Sequence, residues 1–243
     1  MSNTRKNEIA ENLKELLHEI EEYAIKANRD PKEIELICVS KNYPLTDVLL
    51  ANEVGATEFG ENRVQEFEQK QFEFYGLPEG LKKDHQFNWH LIGTLQRNKV
   101  KDVVAQVKLI HSVDSERLIK QIARVSKRYS VTTEFLLQMN IAQEETKHGF
   151  SIQDIESAID LSLRLDNIKL RGLMTMAPHY QDASKTEVIF AKTRELLNKH
   201  KPTVGAEFNQ LSMGMSNDYP YAIAQGATLI RIGTRIFGER NYR

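Results

Sequence analysis

Eight short apolar segments alternate with helical segments along almost the whole chain, and this order constrains the fold more than any other feature. The first segment, residues 34–39, is rich in β-branched residues and bounded by turn signals, which is typical of a buried strand. The segment at 133–140 is apolar on both faces, as a buried parallel strand should be. The predicted strands are residues 34–39, 57–60, 88–92, 108–113, 133–140, 170–175, 207–211 and 228–232.

Predicted helices fill the intervals between these strands. Residues 76–86 are expected to form a polar loop, and a short helix is expected to end near Val104. Residues 4–28 carry apolar side chains at helical spacing, which favours a helix packed on the outside or bottom of the domain over a short coiled coil. The sequence therefore predicts the α/β class: a single (β/α)₈ TIM barrel domain over residues 1–243, with an additional N-terminal helix.

Charge and cysteine content narrow the range of partners. Lysine and arginine total 33 against 34 acidic residues, so the net charge of -1 provides no field to attract nucleic acid or an anionic membrane. Cys38 is the only cysteine and lies in a predicted strand, which excludes an internal disulfide and a cysteine-rich metal site. No apolar stretch is long enough for a signal peptide or a membrane span, so we expect a cytoplasmic protein.

Lys41 directly follows the first predicted strand and is the first candidate site residue. In parallel α/β folds the carboxyl ends of the strands form the edge where active sites are built. A lysine held there beside apolar walls can lose its proton, and a neutral lysine is a nucleophile for carbonyl groups. The alternative is an ion-paired lysine, or one that extends from the strand end into water.

The loops after predicted strands seven and eight supply a second group of candidates. Ser212 lies in a glycine-containing loop after strand seven, and Gly233 and Thr234 close strand eight. These two loops form the usual phosphate site of this barrel. With Lys41 across the barrel mouth, they describe a site that holds a phosphate and offers an amine to a carbonyl, as pyridoxal phosphate would require. In the alternative, the glycines only make tight turns.

Arg231 and Asn62 add two polar groups to the same end of the barrel. Arg231 shares a strand face with Leu229, and if that face is the barrel interior, the guanidinium needs an acceptor. A pyridine nitrogen and a neighbouring carboxylate are the two candidates for that acceptor. Asn62, in the loop after strand two, is placed either to hydrogen-bond a ring hydroxyl or to cap the following helix.

Six stretches of the chain carry these polar and glycine residues. They are Val39-Ser40-Lys41, Phe59-Gly60-Glu61-Asn62, His90 to Lys99, Gly172 to Met176, Leu211 to Asp218, and Arg231-Ile232-Gly233-Thr234. In this order they resemble the successive motifs of the pyridoxal phosphate homeostasis proteins, the PROSC or YggS-like family. The resemblance runs from about residue 34 to the end of the chain.

The resemblance implies a barrel of the alanine racemase N-terminal type in which Lys41 carries pyridoxal 5'-phosphate (PLP) as an internal aldimine. It assigns the phosphate to Ser212, Gly233 and Thr234. It assigns the pyridine nitrogen to Arg231 and the ring to Asn62. The remaining assignments are a secondary cofactor contact at Lys147, a supporting or structural role for His90, and an apolar wall formed by Met174 and Met176.

The function implied by this resemblance is reversible PLP binding in intracellular vitamin B6 and amino-acid homeostasis, without substantial catalytic activity. PLP-dependent apoenzymes are the candidate partners. One alternative is a PLP-dependent amino-acid racemase, which needs two bases, and the other is a Schiff-base aldolase acting on a sugar phosphate. Alanine racemases carry a further β-domain that helps complete the site across a dimer, and the chain ends at Arg243 soon after strand eight. We therefore expect a monomer.

Arg231 also predicts that the protein is a poor catalyst, because an arginine can only donate to the ring nitrogen and keeps it unprotonated. The sequence assigns no second base. Four tyrosines stay open as candidates for one: Tyr43, Tyr180, Tyr219 and Tyr221.

Overall fold

Eight parallel strands close into a barrel in the computed structural model, which describes residues 2–83, 85–144 and 148–239. Each strand pairs with its neighbours in sequence, and the first strand pairs with the last to complete the ring. The predicted (β/α)₈ barrel is thereby confirmed. The strands are β1 (Glu35–Val39), β2 (Glu58–Glu61), β3 (Asn88–Leu91), β4 (Leu109–Val113), β5 (Thr133–Met139), β6 (Ile168–Thr175), β7 (Gln210–Ser212) and β8 (Leu229–Ile232).

Helices surround this barrel in the described part of the chain. None of them combines the length and the apolar composition that a membrane crossing requires. Three connections use 3₁₀-helices, at Pro31–Glu33, Arg97–Asp102 and Ala183–Thr186. The α-helices are α1 (Ser2–Lys26), α2 (Leu45–Glu53), α3 (Val64–Tyr75), α4 (Glu79–Lys82), α5 (Glu116–Tyr129), α6 (Ile155–Arg164), α7 (Glu187–Val204), α8 (Tyr219–Ala224) and α9 (Thr234–Phe237).

Alternate residues of each strand point into the barrel and outward to the helices. In β1, Ile37 belongs to a small apolar cluster inside the barrel, whereas Cys38 belongs to the large core between barrel and helices. In β8, Leu229 likewise belongs to the cluster inside the barrel, and Ile230 belongs to the large core outside it. The interior cluster is completed by side chains from β4, β5 and β6, namely Leu109, Leu136 and Met174. Because the alternation continues along β8, Arg231 faces inward.

Helix α1 packs across the outside of the barrel against α2, α8 and α9, as predicted for the N-terminal segment. Its buried residues recur every three or four positions, so they form one stripe on the helix. Ion pairs fix its position, among them Arg5 to Asp47 at 2.7 Å and Glu19 to Arg235 at 2.5 Å. The stripe consists of Ile9, Leu13, Leu16, Ile20 and Ala24.

The seventh strand differs from its predicted bounds. The chain turns after α7, with a positive φ of 115° at Gly205 and a hydrogen bond of 3.1 Å from the amide of Phe208 to the Gly205 carbonyl. Pairing with β6 therefore begins only at Gln210. Ser212, predicted in the following loop, is instead the last residue of β7. The loop at 76–86 also differs, because it contains the short helix α4.

Candidate functional site

Lys41 lies in a tight turn at the carboxyl end of β1. The amide of Tyr43 donates to the carbonyl of Ser40 at 3.0 Å, and Asn42 adopts a left-handed backbone conformation with φ of 67°. The half-buried Lys41 side chain lines a cavity of about 140 Å³ at this end of the barrel. We call it the rim cavity.

Five of the six predicted site residues line the rim cavity together. Lys41 and Asn62 come from the loops after β1 and β2, and Arg231, Gly233 and Thr234 come from β8 and its end. The geometry thus brings one amine, one amide, one guanidinium and one hydroxyl to a shared space. The other lining residues are Val39, Ile92, Met176, Met215 and Ser216, so Met176 is part of an apolar wall as expected.

Two glycines permit the close approach of neighbouring strands around this cavity. A Cβ atom on Gly233 would lie 2.8 Å from the carbonyl oxygen of Val39, so no larger residue fits between β8 and β1. A Cβ atom on Gly93 would overlap Asn62. The position of Asn62 at the cavity therefore depends on a glycine in the next βα loop.

Ser212 does not line the rim cavity. Its side chain is fully buried inside the barrel, where the hydroxyl lies 2.7 Å from His111 Nδ1 and accepts a hydrogen bond from Arg231 Nη1. Ser216, four residues later, lines the cavity, and its hydroxyl is 3.3 Å from that of Thr234. Ser216 was not predicted as a site residue, because the predicted strand boundary put Ser212 at the rim.

Arg231 is 5% exposed, and among the described residues no carboxylate lies within 4 Å of its guanidinium. Besides Ser212, its protein partner is the carbonyl of Thr175, which accepts from Nη2 at 3.1 Å. Burial lowers the pKa of Arg231 to about 10, while the charge of Asp218 opposes that shift. The neighbouring carboxylate considered from the sequence is thus wrong as a hydrogen-bonding acceptor.

A row of buried polar side chains continues from Ser212 through the barrel interior. His111 Nε2 lies 2.9 Å from His90 Nδ1, and His90 Nε2 lies 2.7 Å from a carboxylate oxygen of Glu58. Burial lowers the pKa of His111 well below its ordinary value, and the charge of Arg231 acts in the same direction. His90 therefore lies behind the cavity without lining it, and its supporting role stays a prediction.

The turn that carries Lys41 is held by residues of β2 and α3. Lys70 Nζ donates to the Ser40 carbonyl at 2.8 Å and pairs with Glu61 at 2.5 Å. The Ser40 hydroxyl donates to the same carboxylate at 2.6 Å, and the amide of Asn42 donates to Glu66. Burial raises the pKa of Glu61, although Lys70 and Ser40 oppose that shift.

These holding residues were not found from the sequence. Lys70 and Glu66 are spaced as an ordinary surface pair on a helix, and nothing in the pattern indicates that Lys70 is only 3% exposed. The one available signal was Glu61, which stands at a strand end beside Asn62.

The remaining predicted residues fall outside the rim cavity. Tyr43 donates its hydroxyl hydrogen to the carbonyl of Gly238 at 2.6 Å, and the Tyr219 hydroxyl donates to Glu19. Tyr180 lines a second cavity of about 300 Å³, the side cavity, which shares Met215, Ser216 and Thr234 with the rim cavity. Met174 is buried in the interior cluster, Tyr221 packs against the core, and Lys147 lies outside the described residues.

The fold and the cavity at its carboxyl rim define a barrel protein of the alanine racemase N-terminal class, and residues 12–241 match the family model described as "Alanine racemase, N-terminal domain". A pyridoxal phosphate homeostasis protein of Aquifex aeolicus is 36% identical over 232 residues, which are 96% of this chain and 98% of the relative. One of Pseudomonas aeruginosa is 35% identical over 234 residues, 96% of each chain. The chain belongs to the family of pyridoxal phosphate homeostasis proteins, which confirms the family predicted from its motifs.

A structural relative is PipY of Synechococcus elongatus PCC7942, which is 35% identical to this chain. The similarity covers 95% of this chain and all of PipY, with a TM-score of 0.82 for PipY without PLP and 0.79 for PipY with PLP bound. The relative thus shares the barrel over its full length.

Proposed function

We propose that this protein binds PLP reversibly in the rim cavity, holds it covalently through Lys41, and takes part in vitamin B6 and amino-acid homeostasis in the cytoplasm. The observation that carries the proposal is that Lys41, Arg231 and Thr234 line one cavity. The names of the relatives and the PLP-bound structure of PipY support the choice of cofactor.

The donor set of Arg231 fits a pyridine nitrogen. A guanidinium has five N–H donors, and the protein accepts from two of its nitrogens through Ser212 and Thr175. Because Arg231 also lines the rim cavity, it can donate further to a ligand there. A neutral aromatic nitrogen is a suitable acceptor, since the site has no described carboxylate bonded to the arginine.

The other lining groups fit the remaining parts of the cofactor. Lys41 offers an amine to the aldehyde, and Asn62 offers an amide to the ring hydroxyl. The hydroxyls of Ser216 and Thr234, beside the Gly233 backbone, offer donors to the phosphate. In this proposal Ser212 supports the site by binding Arg231.

When bound, PLP would supply an aldehyde for covalent attachment and an aromatic ring that withdraws electrons from an attached amine. Arg231 keeps its proton at neutral pH, because its pKa is lowered only to about 10. It therefore donates to the ring nitrogen without protonating it, which weakens the electron demand of the ring.

A second base is also absent from the described lining of the rim cavity. Among those residues, Lys41 is the single one, apart from Arg231, whose side chain is of a type that serves as an acid or base in enzymes. Racemisation needs a base on each face of the substrate. We infer a carrier of the cofactor, and not an enzyme.

The covalent link is tested by the visible absorption of the purified protein and by borohydride reduction followed by peptide mapping. We expect a yellow protein in which reduction fixes the cofactor on Lys41. Lys41→Ala should lose the absorption and retain the fold, because the side chain lies at a strand end outside the core. A label found mainly on another lysine would contradict the assignment. A colourless protein would favour an aldolase lysine.

An amino-acid racemase is the second candidate, because His179 and Tyr180 line the side cavity next to the rim cavity. The test is incubation of the PLP-loaded protein with single-enantiomer amino acids, followed by measurement of racemisation and of α-proton exchange in deuterium oxide. We expect little of either. Turnover near the ordinary enzyme median of about 10 per second would favour the racemase over the carrier.

A monomer that passes PLP to PLP-dependent apoenzymes completes the proposal. Light scattering should give the mass of one chain, 28.0 kDa. Transfer is measured by activation of an apoenzyme added to the loaded protein, with free PLP at the same concentration as the control. Equal activation by free PLP would show release into solution instead of delivery by contact.

A further inference from the structure

The interior of this barrel contains an unbroken row of hydrogen-bonding side chains that runs from its amino-terminal end to the rim cavity. Glu58 begins β2, His90 and His111 lie in the middle of β3 and β4, and Ser212 and Arg231 lie near the carboxyl ends of β7 and β8. The successive contacts are 2.7 Å, 2.9 Å and 2.7 Å, followed by the bond from Arg231 to Ser212. We call these five residues the interior chain.

Both ends of the interior chain have a fixed hydrogen-bonding role. Arg231 can only donate, so the oxygen of Ser212 must accept from it. At the other end, Glu58 also receives hydrogen bonds from Asn88 at 2.6 Å and Lys108 at 2.9 Å. Burial opposes ionisation of Glu58, but the hydrogen bonds from His90, Asn88 and Lys108 outweigh it and lower the pKa to about 2. The ionised carboxylate can only accept.

We propose that His111 and His90 are positioning residues for Arg231, and that with Ser212 they form a one-directional series of donors that ends at Glu58. In this series Arg231 donates to Ser212, and the Ser212 hydroxyl donates to His111 Nδ1. His111 Nε2–H then donates to His90 Nδ1, and His90 Nε2–H donates to Glu58. Every group is satisfied with both imidazoles neutral and protonated on Nε2.

The direction matters because it determines where the Ser212 hydrogen points. When His111 Nδ1 accepts that hydrogen, both lone pairs of the Ser212 oxygen remain available to Arg231. If His111 donated to Ser212 instead, it would take up one of these lone pairs, and the Ser212 hydrogen would need another acceptor. The guanidinium is then held between the Ser212 oxygen and the Thr175 carbonyl, and Arg231 also lines the rim cavity. The role toward a ring nitrogen rests on the proposed function, whereas the direction of the series rests on the protein alone.

The polar side chains of this series are unusual for a barrel interior, which supports a positioning role for them. Interiors of such barrels are filled mainly by branched aliphatic side chains, and burial of polar groups is costly unless each one is hydrogen-bonded. His90, His111 and Ser212 are at most 1% exposed, and each has a partner on both sides. Fully satisfied networks of this kind hold their members in one arrangement.

The first test is long-range proton–nitrogen NMR of the histidine rings in the cofactor-free wild-type protein. We expect His111 and His90 to be neutral, with the proton on Nε2 in both. A proton on Nδ1 of His111, or a doubly protonated ring at either position near neutral pH, would overturn the proposal. This measurement requires no variant and no cofactor, so it stands whether or not PLP binds.

The second test compares the affinity for PLP with that for its analogue with C–H in place of the ring nitrogen. We expect wild type to prefer PLP about tenfold, since a hydrogen bond from a charged donor is lost with the analogue. His111→Phe should remove most of that preference. His111→Gln should restore much of it, because its amide can accept from Ser212 and donate to His90. His200→Phe, at a buried histidine of α7, is the control and should keep the wild-type preference.

The outcomes separate this inference from the proposed function. If PLP binds and His111→Phe folds with an unchanged preference, or if wild type shows no preference, His111 does not position Arg231 and the inference is wrong. If PLP does not bind at all, the proposed function fails, and the tautomers measured by NMR still decide the direction of the series. Should His111→Phe fail to fold, His111→Gln and the NMR measurement decide the question.

Discussion

Ser212 and Ser216 are four residues apart, yet they lie at different depths of the barrel. The Ser212 hydroxyl is used inside by Arg231 and His111, whereas Ser216 reaches the rim cavity next to Thr234. A doubly charged phosphate is strongly hydrated, and its burial costs free energy unless donors replace the water. The rim is therefore the favourable depth for the phosphate of the proposed cofactor, and we expect Ser216 and Thr234 to contact it.

Replacement of Thr234 by valine tests this location of the phosphate. The change removes one hydroxyl and keeps the shape of the side chain. A hydrogen bond to a charged group contributes roughly 1.5 to 3 kcal/mol, so Thr234→Val should weaken PLP binding about tenfold or more. Affinity is measured by equilibrium titration of the apoprotein, with pyridoxal, which has no phosphate, as the matched ligand.

Two further serine variants make the comparison specific. Ser216→Ala should resemble Thr234→Val and leave pyridoxal binding little changed. Ser212→Ala should weaken PLP and pyridoxal to a similar degree, because it acts through Arg231 and the ring nitrogen is common to both ligands. If the Thr234 variant lost both ligands equally, the phosphate would lie elsewhere.

Helix α3 contacts the turn around Lys41 through one face of its first two turns. Glu66 accepts from the amide of Asn42, and Lys70, one turn later, reaches the carbonyl of Ser40. With Glu61 at the end of β2, they hold the residues on both sides of Lys41. The direction of the lysine is thus fixed by a neighbouring βα unit as well as by its own strand.

Lys70→Met is expected to destabilise the protein and to weaken PLP binding. The variant leaves Glu61 buried without its cation, and removal of one partner of a buried ion pair costs about 3 to 5 kcal/mol. Urea unfolding measures the free energy of unfolding, and titration measures the affinity. Lys192→Met, at an exposed ion pair on α7, is the control and should change neither.

The double variant Lys70→Met with Glu61→Gln refines this result. Because the glutamine carries no charge, the double variant should regain part of the lost stability while PLP binding stays weak. Wild-type affinity in the Lys70 variant would contradict a role for α3 in holding Lys41.

The alternation of strands and helices was enough to predict the barrel, and with it the strand ends that place Lys41, Arg231, Gly233 and Thr234 at one rim. Contacts between neighbouring βα units, such as those of α3 with the turn after β1, were not predictable. They depend on which face of a helix packs against the barrel and on how deeply each side chain is buried. Lys70 has the sequence context of a solvent-exposed lysine, and only the packing of α3 buries it. Ser212 lies deeper in the barrel than predicted for a similar reason. Strand β7 begins and ends later in the chain than the apolar pattern of the sequence indicated.

The amino-terminal end of the barrel is stabilised by a charged group, Glu58, that makes the stability of the protein depend on pH. The hydrogen bonds to Glu58 lower its pKa from 4.5 to about 2 in the folded protein, and Lys108 joins it to Glu35 at 2.9 Å. A carboxyl group with a depressed folded-state pKa stabilises the fold above its ordinary pKa. That contribution is lost as pH falls from about 4.5 to about 2.

Glu58→Gln should therefore remove this part of the acid sensitivity. By linkage, the carboxylate contributes up to about 3 kcal/mol near neutral pH. The free energy of unfolding should fall less steeply with pH below about 4.5 in the variant than in wild type, as measured by urea unfolding across that range. Glu11→Gln, at an exposed residue of α1, should keep the wild-type slope. Parallel curves for wild type and Glu58→Gln would contradict the assignment.

Closure of the barrel through β1 and β8 has a consequence for the newly made protein. The residues that line the rim cavity are far apart in the chain, and Lys41 is synthesised well before Arg231, Gly233 and Thr234. At synthesis rates of about 5 to 20 residues per second, on the order of ten seconds or more separate them on the ribosome. During that interval the nascent chain has its lysine and no complete cavity. Capture of a ligand there must follow release of β8 from the ribosome, so a polypeptide truncated before β8 cannot withdraw the ligand from the cell.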